Sequence, residues 1–439
     1  VIRQPLVFVG TCDLAGLVRG KAFPGEDLAA RMRKGVGLTH SNIMMSPFGP
    51  IYDTPFGTEG DLMLVPDPST KVEVDFDEES VSERYYLGDL MTIDEQPWEC
   101  CPRHFLRRAV LALEQVNRQN ALTVLAAFEQ EFVYSGVEHR LGATYALDAH
   151  RRQGPFGESY MAALRAAGLR PDSFLPEYGA RQYEVTIHPT HGLRAADEAV
   201  IQREMARAVA QRLGHRAIFA PIIEPDGVGN GTHIHFSLRD GANRPVFYDP
   251  GRPYRLTVTG EYFVGGILHH LPMLTAITAP SPVSYYRLRP NRWAPTWANI
   301  AVQDRGASLR VCPIFGHGGD AAEQFNVEFR VADAAASPYL ALGALVWAGV
   351  DGIRQRRALP RLHDRNFWEM SAAERRISGV RPLPRSLADA LNLLEASADA
   401  REWFGDTFFD VYLRFKRAEL RVVEGLTEAE ICARYAEIY

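Results

Sequence analysis

Four short runs of this sequence hold most of the side chains able to do chemistry, and all four alternate with a period of two. In Phe128–Tyr134, Glu129 and Glu131 share one face, with Phe128, Phe132 and Tyr134 on the other. In Gln182–Ile187, Glu184 stands with Gln182 and Thr186 against Tyr183, Val185 and Ile187. His233, His235 and Ser237 oppose Ile234, Phe236 and Leu238. Asn326, Glu328 and Arg330 oppose Val327, Phe329 and Val331. Side chains of a strand point alternately to its two faces, so each run predicts one ionisable face and one core face. A sheet with one solvated face accounts for any single run. Together, however, the polar faces carry four glutamates, two histidines and an arginine, which are metal and phosphate ligands. Glutamates crowded on one face repel one another and are driven toward protonation unless cations compensate. Carboxylates with one or two imidazoles suit Mg²⁺ or Mn²⁺ better than zinc or copper. A divalent-metal site is expected.

Arginines add to this. Arg287, Arg289 and Arg292 fall within six residues, and Arg305 and Arg310 follow. Planar guanidinium groups grip phosphate and carboxylate with two parallel hydrogen bonds, although in an arginine-rich chain each could equally be a surface residue. The loop Gly227-Val228-Gly229-Asn230-Gly231 could let backbone N–H groups approach an anion; a threonine follows where a dinucleotide fingerprint needs glycine. Other layouts are absent. There is no G-x-S-x-G elbow and no H-E-x-x-H helix. His233-x-His235 lacks the following glutamate that a cupin-type oxygenase needs. Only Lys21, Lys34, Lys71 and Lys416 are lysines, and none follows a phosphate-loop glycine run, which excludes a Walker-type loop.

The elements that must position these groups come from 439 residues, a length that suggests two or three domains at roughly 150 residues each. Apolar residues make up 46% and the net charge is −6, which fits a globular chain and argues against nucleic-acid or anionic-membrane binding. Five cysteines without a C-x-x-C pair point to a reducing cytoplasm rather than a disulfide scaffold. The longest apolar stretch, Tyr339–Val350, is too short to span a bilayer, and no charged-then-apolar leader opens the chain. Strands are expected at Leu6–Val9, Leu62–Val65 and Lys71–Phe76, followed by a linker at Asp94–Pro102. Helices are expected from Arg103, over Leu193–Leu213, from Ser337 as N-cap to about Ile353, and over Arg385–Arg421. The fold class is α+β, with a small N-terminal β-rich domain over 1–97 and a larger α+β domain over 98–439.

The segments together resemble the glutamine synthetase superfamily, in order and over nearly the whole chain. The resemblance runs through Asp13-Leu14-Ala15-Gly16 to Arg19-Gly20-Lys21, Gly60-Asp61 to Val65-Pro66-Asp67, Glu129-x-Glu131, and Glu177 to Glu184. It continues through Gly229-Asn230-Gly231-Thr232-His233-Ile234-His235, Arg305-Gly306-Ala307-Ser308-Leu309-Arg310, and Val327-Glu328-Phe329-Arg330 to Ser337-Pro338-Tyr339-Leu340. It implies a β-grasp domain followed by a catalytic domain with a curved antiparallel sheet. It also implies a double-ring homo-oligomer, expected to be a dodecamer, with active sites between subunits. Glu131, Glu177 and Glu184 match a metal site beside the glutamate substrate, and Glu129, His233 and Glu328 match one that holds nucleotide phosphates. Arg287 and Gly229 match glutamate-binding positions. Arg305, Arg310 and Arg330 match nucleotide and phosphoryl-transfer positions, Ser237 the nucleotide pocket, and Glu177, Arg305 and Arg330 the catalytic set. The implied cofactors are ATP and two or three Mg²⁺ or Mn²⁺ ions per active site.

Three departures set this chain apart. Ammonia-using members hold ammonium with an aspartate in an N-terminal D-G-S-S motif, and here that stretch reads Thr39-His40-Ser41-Asn42. Their second acid is a flap glutamate in R-L-x-P-x-x-E-A-P. Here the flap is Arg287-Leu288-Arg289-Pro290-Asn291-Arg292-Trp293-Ala294-Pro295, so Trp293 replaces the glutamate in the acceptor site. Val228 stands where many members place an asparagine that helps hold the amino-acid donor, which leaves the donor acid open. A tyrosine that many bacterial members adenylylate is missing from the matching segment Asp364–Met370, so that control is not expected. The expected activity is ATP-dependent joining of glutamate's γ-carboxylate to a small organic amine, in amine or polyamine metabolism. Ammonia-using glutamine synthesis and a catalytically inactive ring-forming homologue are the alternatives.

Overall fold

The structure, a computed structural model, describes residues 2–77, 81–116, 121–315, 320–360, 370–377 and 380–439. Of the segment expected to lack a modifiable tyrosine, residues 364–369 lie outside the described residues.

The N-terminal sheet has six strands: β1 (Leu6–Cys12), β2 (Val18–Pro24), β3 (Val36–Thr39), β4 (Asp61–Pro66), β5 (Val72–Val74) and β6 (Glu83–Thr92). Their order is β2-β1-β6-β4-β3 with β5 also on β6, and only β1 and β6 run parallel. The helix Leu28–Lys34 supplies the α component of the expected small domain. The stretch expected to be a linker is packed instead. Trp98 is buried and its N–H donates to Leu90 O at 2.9 Å, and Cys100 and Cys101 are both inaccessible.

The large sheet runs through β7 (Leu122–Tyr134), β8 (Pro171–Pro176), β9 (Gln182–Ile187), β10 (Thr190–His191), β11 (Ala217–Ile218) and β12 (Thr232–Asp240). It continues, after the two-residue β13 (Trp297–Ala298) that pairs elsewhere, with β14 (Ile300–Val302), β15 (Leu309–Val311) and β16 (Val327–Phe329). The order is β14-β15-β16-β12-β7-β9-β8, antiparallel apart from β14–β15, with β10 and β11 on β7. The fold is therefore the expected α+β class with a curved, mostly antiparallel large sheet. The apolar faces of its strands are buried: Phe128, Phe132, Ile234, Phe236, Val327 and Phe329 are all at most 2% exposed. Behind the sheet stand the helices Gly192–Arg212, Val258–Thr278 and Pro338–Gln355. The last two cross so closely that a Cβ on Gly266 would strike Ala348 O and Gly352 Cα. Among the described residues no helix is long and apolar enough to cross a membrane.

One helix carries no sequence signal and one helical expectation is corrected. Val258–Thr278 is buried on nearly every side and contains Pro272, so no polar stripe marks it. The single helix expected over Arg385–Arg421 is three: Leu387–Glu395, Ala398–Phe404 and Asp406–Val422. Ser397 caps the second, and Gly405, at φ 82°, turns the chain between the second and third.

One buried arginine ties the two sheets together. Arg103 sits on the helix Pro102–Val116 and donates to Asp197 through Nε at 3.0 Å and Nη2 at 2.9 Å. It also reaches Asp89 at 2.8 Å and Asp67 at 2.7 Å. Asp67 and Asp89 belong to the N-terminal layer, and Asp197 to the helix Gly192–Arg212 behind the large sheet. Removing the cation leaves carboxylates facing one another with little water. Arg103→Ala is expected to cost about 3–5 kcal/mol of unfolding free energy, read from urea midpoints.

Candidate active site

Strand register brings the predicted polar faces together. Glu129 lies opposite His233, Glu131 opposite Glu184, His235 opposite Glu328, and Arg310 opposite the same Glu328. Directly opposed carboxylates such as Glu131 and Glu184 destabilise a bare sheet, so this face is built for something other than strand pairing.

Distances within the cluster are short. His233 Nδ1 is 2.7 Å from Glu129 Oε1 and 3.6 Å from Glu328 Oε1, and its Nε2 is 3.9 Å from Glu131 Oε1. Arg310 donates to Glu328 Oε2 at 2.8 Å, and Arg330 bonds Glu328 Oε1. Glu177 follows β8 in a loop, where its two oxygens accept from Tyr145 Oη and Tyr178 N, each at 3.0 Å.

Two trios have ligand atoms within 4.8 Å of one another: Glu129, Glu184 and His233, and Glu129, His235 and Glu328. His235 was on the predicted polar face but not among the expected ligands. Its Nε2 lies 3.5 Å from Glu129 and is buried without a hydrogen bond. Glu131 and Glu177 lie outside these trios but line a common cavity with Glu129, Glu184 and His233.

The electrostatics ask for cations. Burial first, then Glu129, Glu131 and Glu177, push the Glu184 carboxyl far above the usual carboxylate range. Burial and the neighbouring Glu131 raise Glu177. Glu129 and Glu328 go the other way: burial opposes their ionisation, but His233 and His235, with Arg330 on Glu328, hold Glu129 well below its ordinary value and Glu328 down to about 2. The imidazole nitrogen of His235 that makes no hydrogen bond and the crowded carboxylates form a donor set that fits hard divalent cations with oxygen and imidazole ligands.

Two chambers meet at this cluster, and Glu129 and Glu184 line both. The first, about 370 Å³, is bordered by Ser237, His235 and Asn326. The second, about 360 Å³, is bordered by Arg287, Arg305, Arg330, Gly229 and Trp293. All the site residues expected from sequence except Arg310 and Glu328 line one chamber or the other, and those two bond each other beside them. Two N–H groups of the glycine loop are already committed within the protein. Gly231 N donates to the Glu131 carboxylate at 2.7 Å and Asn230 N to Pro221 O at 2.8 Å. Gly229 is needed for closeness, since a Cβ there would strike Arg287 Cγ.

Sequence reasoning missed an aromatic wall. Trp293, 68% exposed at φ 56°, stacks on Tyr178 with centroids 5.7 Å apart and planes 16° apart. Tyr178 meets Tyr145 edge-on at 5.6 Å. Both tyrosines lie in irregular segments where no periodicity could flag them. A bulky residue at positive φ is strained, and such strain marks functional loops.

Comparisons with known proteins agree with this architecture. The family model described as "Glutamine synthetase, catalytic domain" matches residues 99–435, and that described as "Glutamine synthetase N-terminal domain" matches residues 3–98. A gamma-glutamylpolyamine synthetase of Streptomyces coelicolor is 32% identical, with 98% of this chain and 92% of the relative covered. A glutamine synthetase of Thermococcus kodakarensis is 29% identical over 98% of this chain and 93% of its own length. A crystal structure of a "novel glutamine synthase homolog" superposes with a TM-score of 0.91 at 39% identity, covering 100% of this chain and 99% of that one.

Proposed function

This chain belongs to the glutamine synthetase family of ATP-dependent ligases, and from that premise we propose that it joins the γ-carboxylate of glutamate to an organic amine rather than to ammonia. The observation that carries the proposal is the acceptor end of the second chamber. Every carboxylate lining that chamber (Glu129, Glu131, Glu177, Glu184) belongs to the ligand cluster, and the flap presents an indole stacked on a phenol ring. An aromatic face attracts an alkylammonium and shelters its methylenes, while offering ammonia no ion pair.

Oxide is a poor leaving group, so a γ-carboxylate is first activated. Its oxygen attacks the γ-phosphorus of ATP, ADP departs, and an acyl phosphate remains. The amine nitrogen then attacks the acyl carbon, phosphate leaves, and the nitrogen loses a proton. Bringing carboxylate to triphosphate sets anions together. Arg305 and Arg330 are assigned to neutralise the transferring phosphoryl group, and Arg310 to hold Glu328 in place. Glu129, His233 and Glu328 would hold a Mg²⁺ or Mn²⁺ beside the phosphates, and Glu131, Glu177 and Glu184 one beside the donor. Bound divalent ions supply charge neutralisation between these anions. Arg287 receives the donor's α-carboxylate beside Gly229, and Ser237 lines the nucleotide side.

The same reading includes a ring-shaped homo-oligomer with shared active sites, domains divided near residue 97, and a cytoplasmic location. Five free, buried cysteines suit a reducing compartment. The similarity to a gamma-glutamylpolyamine synthetase supports an amine acceptor, and that to glutamine synthetases supports glutamate as donor. The test is ATP-dependent phosphate release with glutamate and a panel of amines. Release with ammonia alone would favour glutamine synthesis, and no release with any acceptor would favour an inactive homologue.

A further inference from the structure

Arg287 cannot grip a carboxylate with two parallel bonds. Its Nη2 already donates to Val331 O and to Ala332 O, the latter at 3.0 Å. Both two-pronged edges of a guanidinium include that nitrogen, so only single hydrogen bonds remain for a ligand. Val228, 40% exposed, lines the same chamber and offers no polar atom from its side chain. A donor acid with an α-carboxylate would be held at one point.

A second cation stands within reach. Arg292 lines the same chamber, and its Nη1 donates to Gly227 O at 2.7 Å. Gly227 is two residues before Gly229, against which Arg287 packs, and two residues of chain span at most about 7 Å. The Arg292 guanidinium and the side-chain stem of Arg287 thus border one short stretch of loop. Arg292 has only a weak ionic partner: its Nη2 is 3.3 Å from Asp226, whose side chain is fully exposed while that of Arg292 is 16% exposed. An exposed pair of that kind contributes little and exchanges readily for a better-shielded anion. The backbone is also strained on both sides of this residue, at Asn291 (φ 63°) and Trp293 (φ 56°).

We propose that Arg292 is a specificity-determining residue that completes, with Arg287, a two-arginine clamp for the donor's α-carboxylate, and so selects α-amino dicarboxylic acids as donors. This rests on the ligase reading above. Binding exchanges the Asp226 contact for the substrate carboxylate, and no covalent step is involved.

The test is steady-state kinetics of Arg292→Ala and Arg292→Lys with a monoamine that the wild-type enzyme accepts. In Arg292→Ala, KM for glutamate should rise at least fivefold, while KM for ATP and for the amine stay within twofold. Arg292→Lys should recover part of that loss, since it restores the charge without the fork. The preference for glutamate over 4-aminobutanoate, which keeps the reacting carboxylate and the amino group but lacks the α-carboxylate, should shrink by a similar factor. A flap that had merely lost its shape would move the amine KM as well. An unchanged glutamate KM, or a shift confined to the amine, overturns the clamp. A wild-type enzyme that releases no phosphate with glutamate and any amine overturns the ligase reading itself, and the clamp with it.

Discussion

Glu131→Ala is expected to lower kcat/KM by more than about a thousandfold, a loss of about 4 kcal/mol in transition-state stabilisation. Glu131 lines the second chamber, beside the cluster where the two chambers meet. It lies opposite Glu184 in register, 3.9 Å from His233 Nε2, with its other oxygen fixed by Gly231 N at 2.7 Å. Deleting it removes one donor from a site whose remaining carboxylates then hold a divalent cation poorly. Glu131→Gln is the sharper probe, because the amide oxygen still accepts from Gly231 while the charge is gone. Without metal, Glu131→Gln should melt no lower than the wild type, since it relieves repulsion within the cluster. It should also lose most of the rise in Tm that Mg²⁺ or Mn²⁺ gives the wild type. Full activity of the wild-type protein in excess chelator would remove the metal assignment altogether.

The same cluster links cation binding to pH, with a definite sign. The Glu184 and Glu177 carboxyls are raised by burial and by their neighbours. Above the ordinary carboxylate pKa near 4.5, the metal-free folded state therefore keeps protons that the unfolded chain has released. Stability of the metal-free protein accordingly falls as pH rises through that window. A divalent ion takes the protons' place. The Tm increase on adding Mn²⁺ should be larger at pH 8 than at pH 6, and calorimetry in buffers of different ionisation heat should show proton release on binding. A Tm increase independent of pH would show that the cation binds elsewhere.

The polar faces of β7, β9, β12 and β16 were legible because strand alternation is strict and burial enforces it. A one-residue slip would bury Glu129 and expose Phe128. For the same reason His235 was visible as a member of the face, although only the fold shows that Glu129 and Glu328 both approach it. What was not legible follows from missing periodicity. The helix Val258–Thr278 is buried on nearly every side, so no polar stripe reports its turns. The break at Gly405 depends on one backbone angle. The aromatic wall joins Tyr145, Tyr178 and Trp293 from three irregular segments. Trp293 could be flagged from its place in the flap, but its partners could be found only in space. The glycine loop shows the same division: its spacing permits an anion cradle, but only the fold shows that Gly231 N is committed to Glu131 and Asn230 N to Pro221.

Amines with about three or more carbons are expected to exceed ammonia by at least tenfold in kcat/KM. An anion about 4 Å from an ammonium is worth up to ~4 kcal/mol at an effective dielectric near 20, roughly a thousandfold in affinity. The flap here forfeits that term, since Trp293 can neither pair with a cation as an ion nor act as a base. What it offers instead is a cation–π face of about 0.5–2 kcal/mol and an apolar wall. Each buried methylene adds about 0.8 kcal/mol, so three to five carbons recover the deficit. The stack on Tyr178 strengthens this expectation, because a ring already held in place loses little freedom when it receives a ligand. Methylamine should therefore gain little over ammonia, whereas a butyl amine or a diamine should gain most of the difference. Arg292 borders the same chamber, so a diamine must keep its far ammonium away from that guanidinium and lie along the Trp293–Tyr178 side. Trp293→Glu should narrow the gap by restoring an acid to the flap, and Trp293→Ala should weaken large amines without helping ammonia. That second variant separates a lost aromatic surface from a gained charge. The measurement is kcat/KM for ammonia, methylamine, a butyl amine and a diamine across the three proteins. Ammonia as the best acceptor of the wild type would return the chain to ordinary glutamine synthesis.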